Sequence, residues 1–124
     1  MVLVDTSVWI DHLRAGDALL AGLLQSHRVL IHPFVAGEMA LGHLRQRQLV
    51  MQALQALPKA AVAADSEVLA FIDGQSLAGL GLGYVDVHLL ASVRLSPGSQ
   101  LWTRDKRLQA VAARWELAFV ESVH

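Results

Sequence analysis

The chain has 124 residues, the size of one compact domain, and no cysteine, so disulfides and thiolate metal sites are excluded. It is 54% hydrophobic, mostly Leu, Val and Ala, with a formal net charge of -1. That is not the basic balance of a non-specific nucleic-acid coater, so any nucleic acid must be met at a local site.

In chain order, Val2-Leu3-Val4 is an apolar run that stops on Asp5 and predicts a buried strand. A short helix over Ser7 to Leu13 follows, and a second over Ala18 to Leu24 is capped by Asp17. Val29-Leu30-Ile31 predicts the next strand. Pro33 suits a first helical turn, and apolar residues run on to Leu44. Gln48 to Leu57 has helical spacing and stops at Pro58, and Ala61-Val62-Ala63 is a candidate short strand. Asp65-Ser66 can cap a helix through Ile72. The loop from Leu77 to Gly83 holds three glycines, but no strand leads into them, so they make no dinucleotide fingerprint. Asp86 heads a helix through Leu95, Leu101-Trp102 is a strand, Asp105 heads a helix through Trp115, and Leu117 to Val120 is the last strand.

This alternation predicts an α/β fold, a parallel sheet covered by helices on both faces, within a single domain over 1–124. No apolar stretch approaches the roughly 18 residues of a membrane span, and no basic region or cleavage signature marks a signal peptide. A cytoplasmic protein is expected. The aliphatic surplus predicts a subunit interface.

In parallel sheets the site lies beyond the carboxyl ends of the strands. Asp5 closes the first strand, Asp105 follows the strand at Leu101-Trp102, and Asp86 follows the glycine-rich loop. Glu38 lies about two turns into the helix after Val29 to Ile31, among the apolar neighbours Val35, Met39 and Leu41. Taken singly, Asp5, Asp86 and Asp105 are ordinary N-caps and Glu38 a helix residue. Taken together, four carboxylates converging on one pocket repel each other, and a hard cation reverses that cost. Oxygen donors without His or Cys suit Mg²⁺ or Mn²⁺ and not zinc, and the chemistry natural to such a cup is phosphodiester hydrolysis. Ser7 and Thr103 could orient the ligands through their hydroxyls.

Val4-Asp5-Thr6-Ser7-Val8-Trp9-Ile10-Asp11, Glu38-Met39-Ala40-Leu41-Gly42, Tyr84-Val85-Asp86-Val87-His88-Leu89-Leu90-Ala91 and Leu101-Trp102-Thr103-Arg104-Asp105 resemble, in order and spacing, the PIN domain and in particular its VapC-type toxin branch. The resemblance implies a three-layer α/β/α sandwich with a central parallel sheet, a homodimer, and a Mg²⁺- or Mn²⁺-dependent endoribonuclease. It also implies a small antitoxin partner that wraps the toxin and blocks its site. By motif position, Asp5, Glu38, Asp86 and Asp105 take the family's acidic roles, Asp5 and Asp86 as direct metal ligands and Glu38 and Asp105 directly or through water. Ser7 and Thr103 match its supporting hydroxyls. Two positions depart from the pattern: His88 stands where an apolar or small residue is usual, and Trp115-Glu116 where the family turns on glycine.

Arg104, Lys106 and Arg107 surround Asp105 and are candidate phosphate contacts, and His88 is a candidate substrate contact. A cation at a helix N-terminus opposes the dipole, which favours a reason other than stability. His12 reads less well as a base, since a metal mechanism needs none. Trp9 reads as core or interface, Arg45 and Arg47 as solvated. Asp11, Asp17, Asp65, Asp73, Glu67, Glu116 and Glu121 read as surface or cap residues. Two other functions compete with the nuclease. A phosphoacceptor receiver domain would need an acid beside Asp5 and a lysine ending a late strand, whereas Lys106 follows Asp105 in a helix. A non-catalytic module that helps an antitoxin hold operator DNA would not need all four acids.

Overall fold

The computed structural model describes residues 1–121; residues 122–124, the end of the expected 1–124 domain, lie outside the described residues. Ten elements follow in order: β1 (Val2–Val4), α1 (Thr6–Ala15), α2 (Ala18–Gln25), β2 (Val29–Leu30), α3 (Pro33–Leu41), α4 (Arg47–Ala56), α5 (Asp65–Gly74), α6 (Tyr84–Leu95), β3 (Gln100–Trp102) and α7 (Lys106–Ala113). The strands form a parallel sheet in the order β2-β1-β3, with Val2 opposite both Val29 and Gln100. Successive strand residues point to opposite faces. Val2, Leu3 and Val4 are all buried, so both faces of β1 are covered. The contacts group α1 with α3 and α3 with α4, and set α6 and α7 on β3. This is the layered α/β/α arrangement expected.

The edges of the sheet are shorter than the apolar runs suggest. Leu117 to Val120 is not a strand: it meets β3 in a single bridge, where Leu101 N–H donates to Leu117 O at 2.7 Å and Phe119 N–H to Leu101 O at 2.9 Å. On the opposite edge, Ile31 bridges Lys59 through Pro58 O and Ala60 N–H, so the pairing falls just before Ala61-Val62-Ala63. The Ala61 carbonyl instead accepts from the Ser92 hydroxyl of α6. Helix α3 ends at Leu41, with Gly42 as its C-cap, short of Leu44. Glu116, in the turn where the family uses glycine, has φ +58, a left-handed conformation that L side chains adopt at a cost.

Helix α6 is buried at every residue from Val87 to Val93. His88, expected as a substrate contact, is 1% exposed. Its ring packs at 4.6 Å from Phe34 and 4.7 Å from Tyr84. It is therefore core, and it cannot touch a substrate. Its Nε2 lies 3.2 Å from Asp65 Oδ1 without hydrogen-bond geometry.

The neighbouring His32 is also fully buried, and its Nδ1 accepts from Phe34 N–H at 3.0 Å, capping α3. Burial, and then the nearby His88, push His32 down from its ordinary 6.5 to about 4. The folded state thus holds His32 neutral, and protonation would remove the acceptor that caps α3. Stability from this group is complete above pH 6.5 and is lost as pH falls toward about 4. Wild type should lose up to about 3 kcal/mol over that window. His32→Asn, which keeps a capping oxygen but does not titrate, should flatten the slope in urea melts recorded between pH 7 and pH 4. An unchanged slope in the variant would refute this assignment.

Candidate active site

Strand β1 lies between β2 and β3, so its carboxyl end is the point where connections leave in opposite directions. Open α/β sheets form their crevices at such switch points. Asp5 stands there, 7% exposed, its backbone N–H still bonded to Trp102 O at 2.9 Å. Its side chain does two things. Oδ1 accepts from Thr6 N–H at 2.8 Å and caps α1, while Oδ2 accepts from the Thr103 hydroxyl at 2.7 Å. Asp5 is therefore the N-cap of α1 as well as a candidate ligand.

Thr103 is 2% exposed and ties two acids together. Its hydroxyl donates to Asp5 and accepts from Asp105 N–H at 3.1 Å. The Ser7 hydroxyl is more remote, 3.5 Å from Asp5 Oδ2, and accepts from Arg104 N–H at 3.4 Å. Asp105 caps α7, with Oδ1 accepting from Arg107 N–H at 2.9 Å and Leu108 N–H at 3.0 Å. Glu38 is exposed, and its Oε1 accepts from the Thr6 hydroxyl at 3.0 Å.

Asp86 is not the N-cap of α6. The helix starts two residues earlier, after Gly83, and Asp86 Oδ2 reaches back to accept from Gly83 N–H at 3.1 Å. Burial raises the Asp86 pKa above its ordinary value, and the negative charges of Asp5, Asp105 and Glu38 raise it further; the Gly83 hydrogen bond acts in the opposite direction. The four acids from four separate parts of the chain thus share one electrostatic neighbourhood.

Among the described residues, no three His, Cys, Asp or Glu side chains come close enough to cage an ion unaided. Mg²⁺ is usually bound through one or two carboxylates and keeps several waters, so a complete protein cage is not required. The donor set is all oxygen, the two nearby histidines are buried in the core, and Asp86 registers the repulsion that a cation would relieve. The residues fit a hard divalent cation.

The basic residues around Asp105 divide. Arg104, expected as a phosphate contact, is taken up by other carboxylates. Its guanidinium donates to Asp11 Oδ2 at 2.6 Å, Asp17 Oδ2 at 2.7 Å and Glu121 Oε1 at 3.0 and 3.1 Å. These bonds hold it firmly protonated, and it offers no free fork to a phosphate. Asp11, Asp17 and Glu121, read from the sequence as surface or cap residues, are its partners. That grouping carries no local sequence signal, because the partners are 93, 87 and 17 residues from Arg104.

Lys106 and Arg107 are exposed and form no ion pair among the described residues. The Arg107 side chain lies against Gly81, in the loop leading to Asp86. Gly81 has φ +79, and a Cβ there would stand 2.6 Å from Arg107 Nη1. Gly81→Ala should lower stability by about 1 kcal/mol, mostly from the backbone conformation, since Arg107 can swing aside. The denaturant midpoint should shift with an unchanged m-value. A midpoint equal to wild type would show that this glycine is dispensable.

The model of the PIN domain family matches residues 2–114. Ribonuclease VapC32 of Mycobacterium tuberculosis, from strain CDC 1551 / Oshkosh and from strain ATCC 25618 / H37Rv, is 49% identical over 123 residues, covering 99% of this chain and 99% of the relative.

Proposed function

The chain belongs to the PIN-domain family, and from that membership we propose that it is a VapC-type endoribonuclease toxin that cleaves RNA phosphodiester bonds with a divalent cation. The observation that carries the reading is the gathering of acids at the sheet's switch point, where Thr6 bonds both Asp5 and Glu38, Thr103 bonds both Asp5 and the Asp105 backbone, and Asp86 lies within reach of their charges. A phosphoacceptor receiver is set aside by the family. The non-catalytic reading loses ground because all four acids are present and supported.

Asp5 and Asp86 would hold the cation, with Glu38 and Asp105 completing the cup directly or through water. When bound, Mg²⁺ or Mn²⁺ supplies charge stabilisation at the scissile phosphate and acidifies the attacking water. The chain's own residues supply the order. Thr103 fixes Asp5 Oδ2 and the Asp105 backbone together, and Thr6 holds Asp5 Oδ1 through its N–H and Glu38 through its hydroxyl. Asp5 Oδ1 and Glu38 Oε1 each accept one bond here and keep a further lone pair for a ligand. Asp86 leaves Oδ1 outside its bond to Gly83. Lys106 and Arg107, exposed beside Asp105, would attract the phosphate backbone of the RNA.

The proposal includes a small antitoxin as partner, a homodimer, one domain over 1–124, and action in the cytoplasm. An apolar groove lined by Ile31, Pro33, Ala36, Ala40 and Met51, with Leu41 90% exposed at the end of α3, supports a protein-binding face. No helix among the described residues is long and apolar enough to cross a membrane.

The test is cleavage of structured and unstructured RNA by purified, antitoxin-free protein. Activity should require added Mg²⁺ or Mn²⁺ and stop with EDTA. Activity undiminished by EDTA, or no cleavage of any RNA with either ion, would overturn the reading.

A further inference from the structure

The three residues Thr103 to Asp105 carry one proposed ligand and the hydroxyl that orients another, yet they lie outside any helix or strand. Locally, Thr103 bonds Asp5 and the Asp105 N–H, and Asp105 caps α7. The side chain of the middle residue adds anchors to distant segments. The Arg104 guanidinium reaches Asp11 in α1, Asp17 at the N-cap of α2, and Glu121 in the C-terminal segment. Glu121 Oε1 also accepts from Trp102 Nε1 at 2.6 Å, so the C-terminal segment is bound to β3 as well. The Arg104 N–H meanwhile donates to Ser7 Oγ. One residue therefore bonds the turn to α1, to the N-cap of α2 and to Glu121.

Charge pairing alone does not account for this. One carboxylate would satisfy one guanidinium, and three carboxylates around it repel each other. The acids are 38%, 20% and 41% exposed, where ion pairs stabilise little. What three acids on three segments provide is direction: the planar fork has fixed donor angles, so the guanidinium has one position.

We propose that Arg104 is a positioning residue of the nuclease, whose clamp on Asp11, Asp17 and Glu121 fixes the Thr103–Asp105 turn and thereby the placement of Asp5 and Asp105 around the cation. The inference rests on the nuclease reading for its catalytic consequence, but not for its effect on cation binding.

The test uses the full chain with Arg104→Lys, Glu121→Gln and Asp11→Asn. Thermal melts by circular dichroism report folding. Titration calorimetry reports Mn²⁺ affinity without RNA, and steady-state cleavage at saturating Mn²⁺ reports kcat and KM separately. Lysine has one nitrogen in place of the planar fork whose Nε, Nη1 and Nη2 reach Glu121, Asp11 and Asp17, so Arg104→Lys should weaken Mn²⁺ binding and lower kcat by about tenfold or more, with KM little changed, the range seen when partners of metal ligands are removed. Glu121→Gln and Asp11→Asn, each losing one anchor, should show smaller losses of the same kind. A folded Arg104→Lys with wild-type Mn²⁺ affinity and kcat overturns the proposal. So does a rise in KM alone, which would make Arg104 a phosphate contact. Where Arg104→Lys does not fold, wild-type Mn²⁺ affinity in both other variants overturns it. Wild-type protein that binds Mn²⁺ but cleaves no RNA overturns the nuclease reading, while the affinities of the variants still judge the clamp.

Discussion

Asp5→Asn should leave a folded protein that no longer cleaves RNA. The structure explains why the two effects separate. Asparagine caps helices as well as aspartate does, so its oxygen can still accept from Thr6 N–H. The amide would then face Thr103, whose hydroxyl has a second lone pair beyond the one given to Asp105 N–H and can accept from it. The net stability change should stay within about 1 kcal/mol. Cation binding loses its most buried carboxylate, however, and an amide carries no charge to oppose a divalent ion. A fall in kcat of roughly 10²-fold or more is expected, about 3 kcal/mol of transition-state stabilisation. The checks are cleavage assays at matched Mn²⁺ and growth on induced expression without antitoxin. Full activity, or growth arrest as severe as with wild type, would remove Asp5 from the site.

Asp86→Asn should also abolish cleavage, yet it should make the metal-free protein more stable at neutral pH. The Asp86 pKa is raised by burial and by three neighbouring carboxylates. A raised folded-state pKa means that the folded protein binds this proton more tightly than the unfolded chain. Stability is therefore greatest at low pH and falls as pH rises from the ordinary 3.8 through the folded value. The wild type takes on that penalty as pH rises. Asparagine removes the charge and keeps an oxygen for Gly83 N–H. In EDTA at pH 7 the variant should melt higher than wild type, and the advantage should shrink toward pH 4. Added Mg²⁺ or Mn²⁺ should stabilise wild type and not the variant, because only a bound ligand shifts the melting point. Equal melting points in EDTA at both pH values would show that Asp86 ionises without opposition, and would contradict the cup.

The sheet and the acids were legible for different reasons. Val2–Val4 is an apolar run ended by a capping acid, a signal confined to neighbouring residues, and the strand and helix appear where that signal puts them. The start of α6 was misplaced because Asp86 mimics an N-cap in sequence while Gly83 fills that place in space. In the Leu117 to Val120 run the first three residues are half-buried against the core, Val120 is exposed, and only one bridge to β3 forms, a distinction that periodicity does not carry. His88 is close to Asp86 in the chain but not in orientation, since on a helix the second residue along points to another face. Here that face is the core.

The sequence by itself determined the fold class and the chemistry available to the site, since both follow from local patterns: strand-length apolar runs, capping acids, and oxygen donors without His or Cys. Tertiary structure alone decided which charges face one another. Arg104 sits between Thr103 and Asp105 in the chain, yet its guanidinium belongs to Asp11, Asp17 and Glu121. The physical reason is reach. A long flexible cation is placed by the carboxylates that packing brings within about 3 Å of it, and not by its neighbours in the chain.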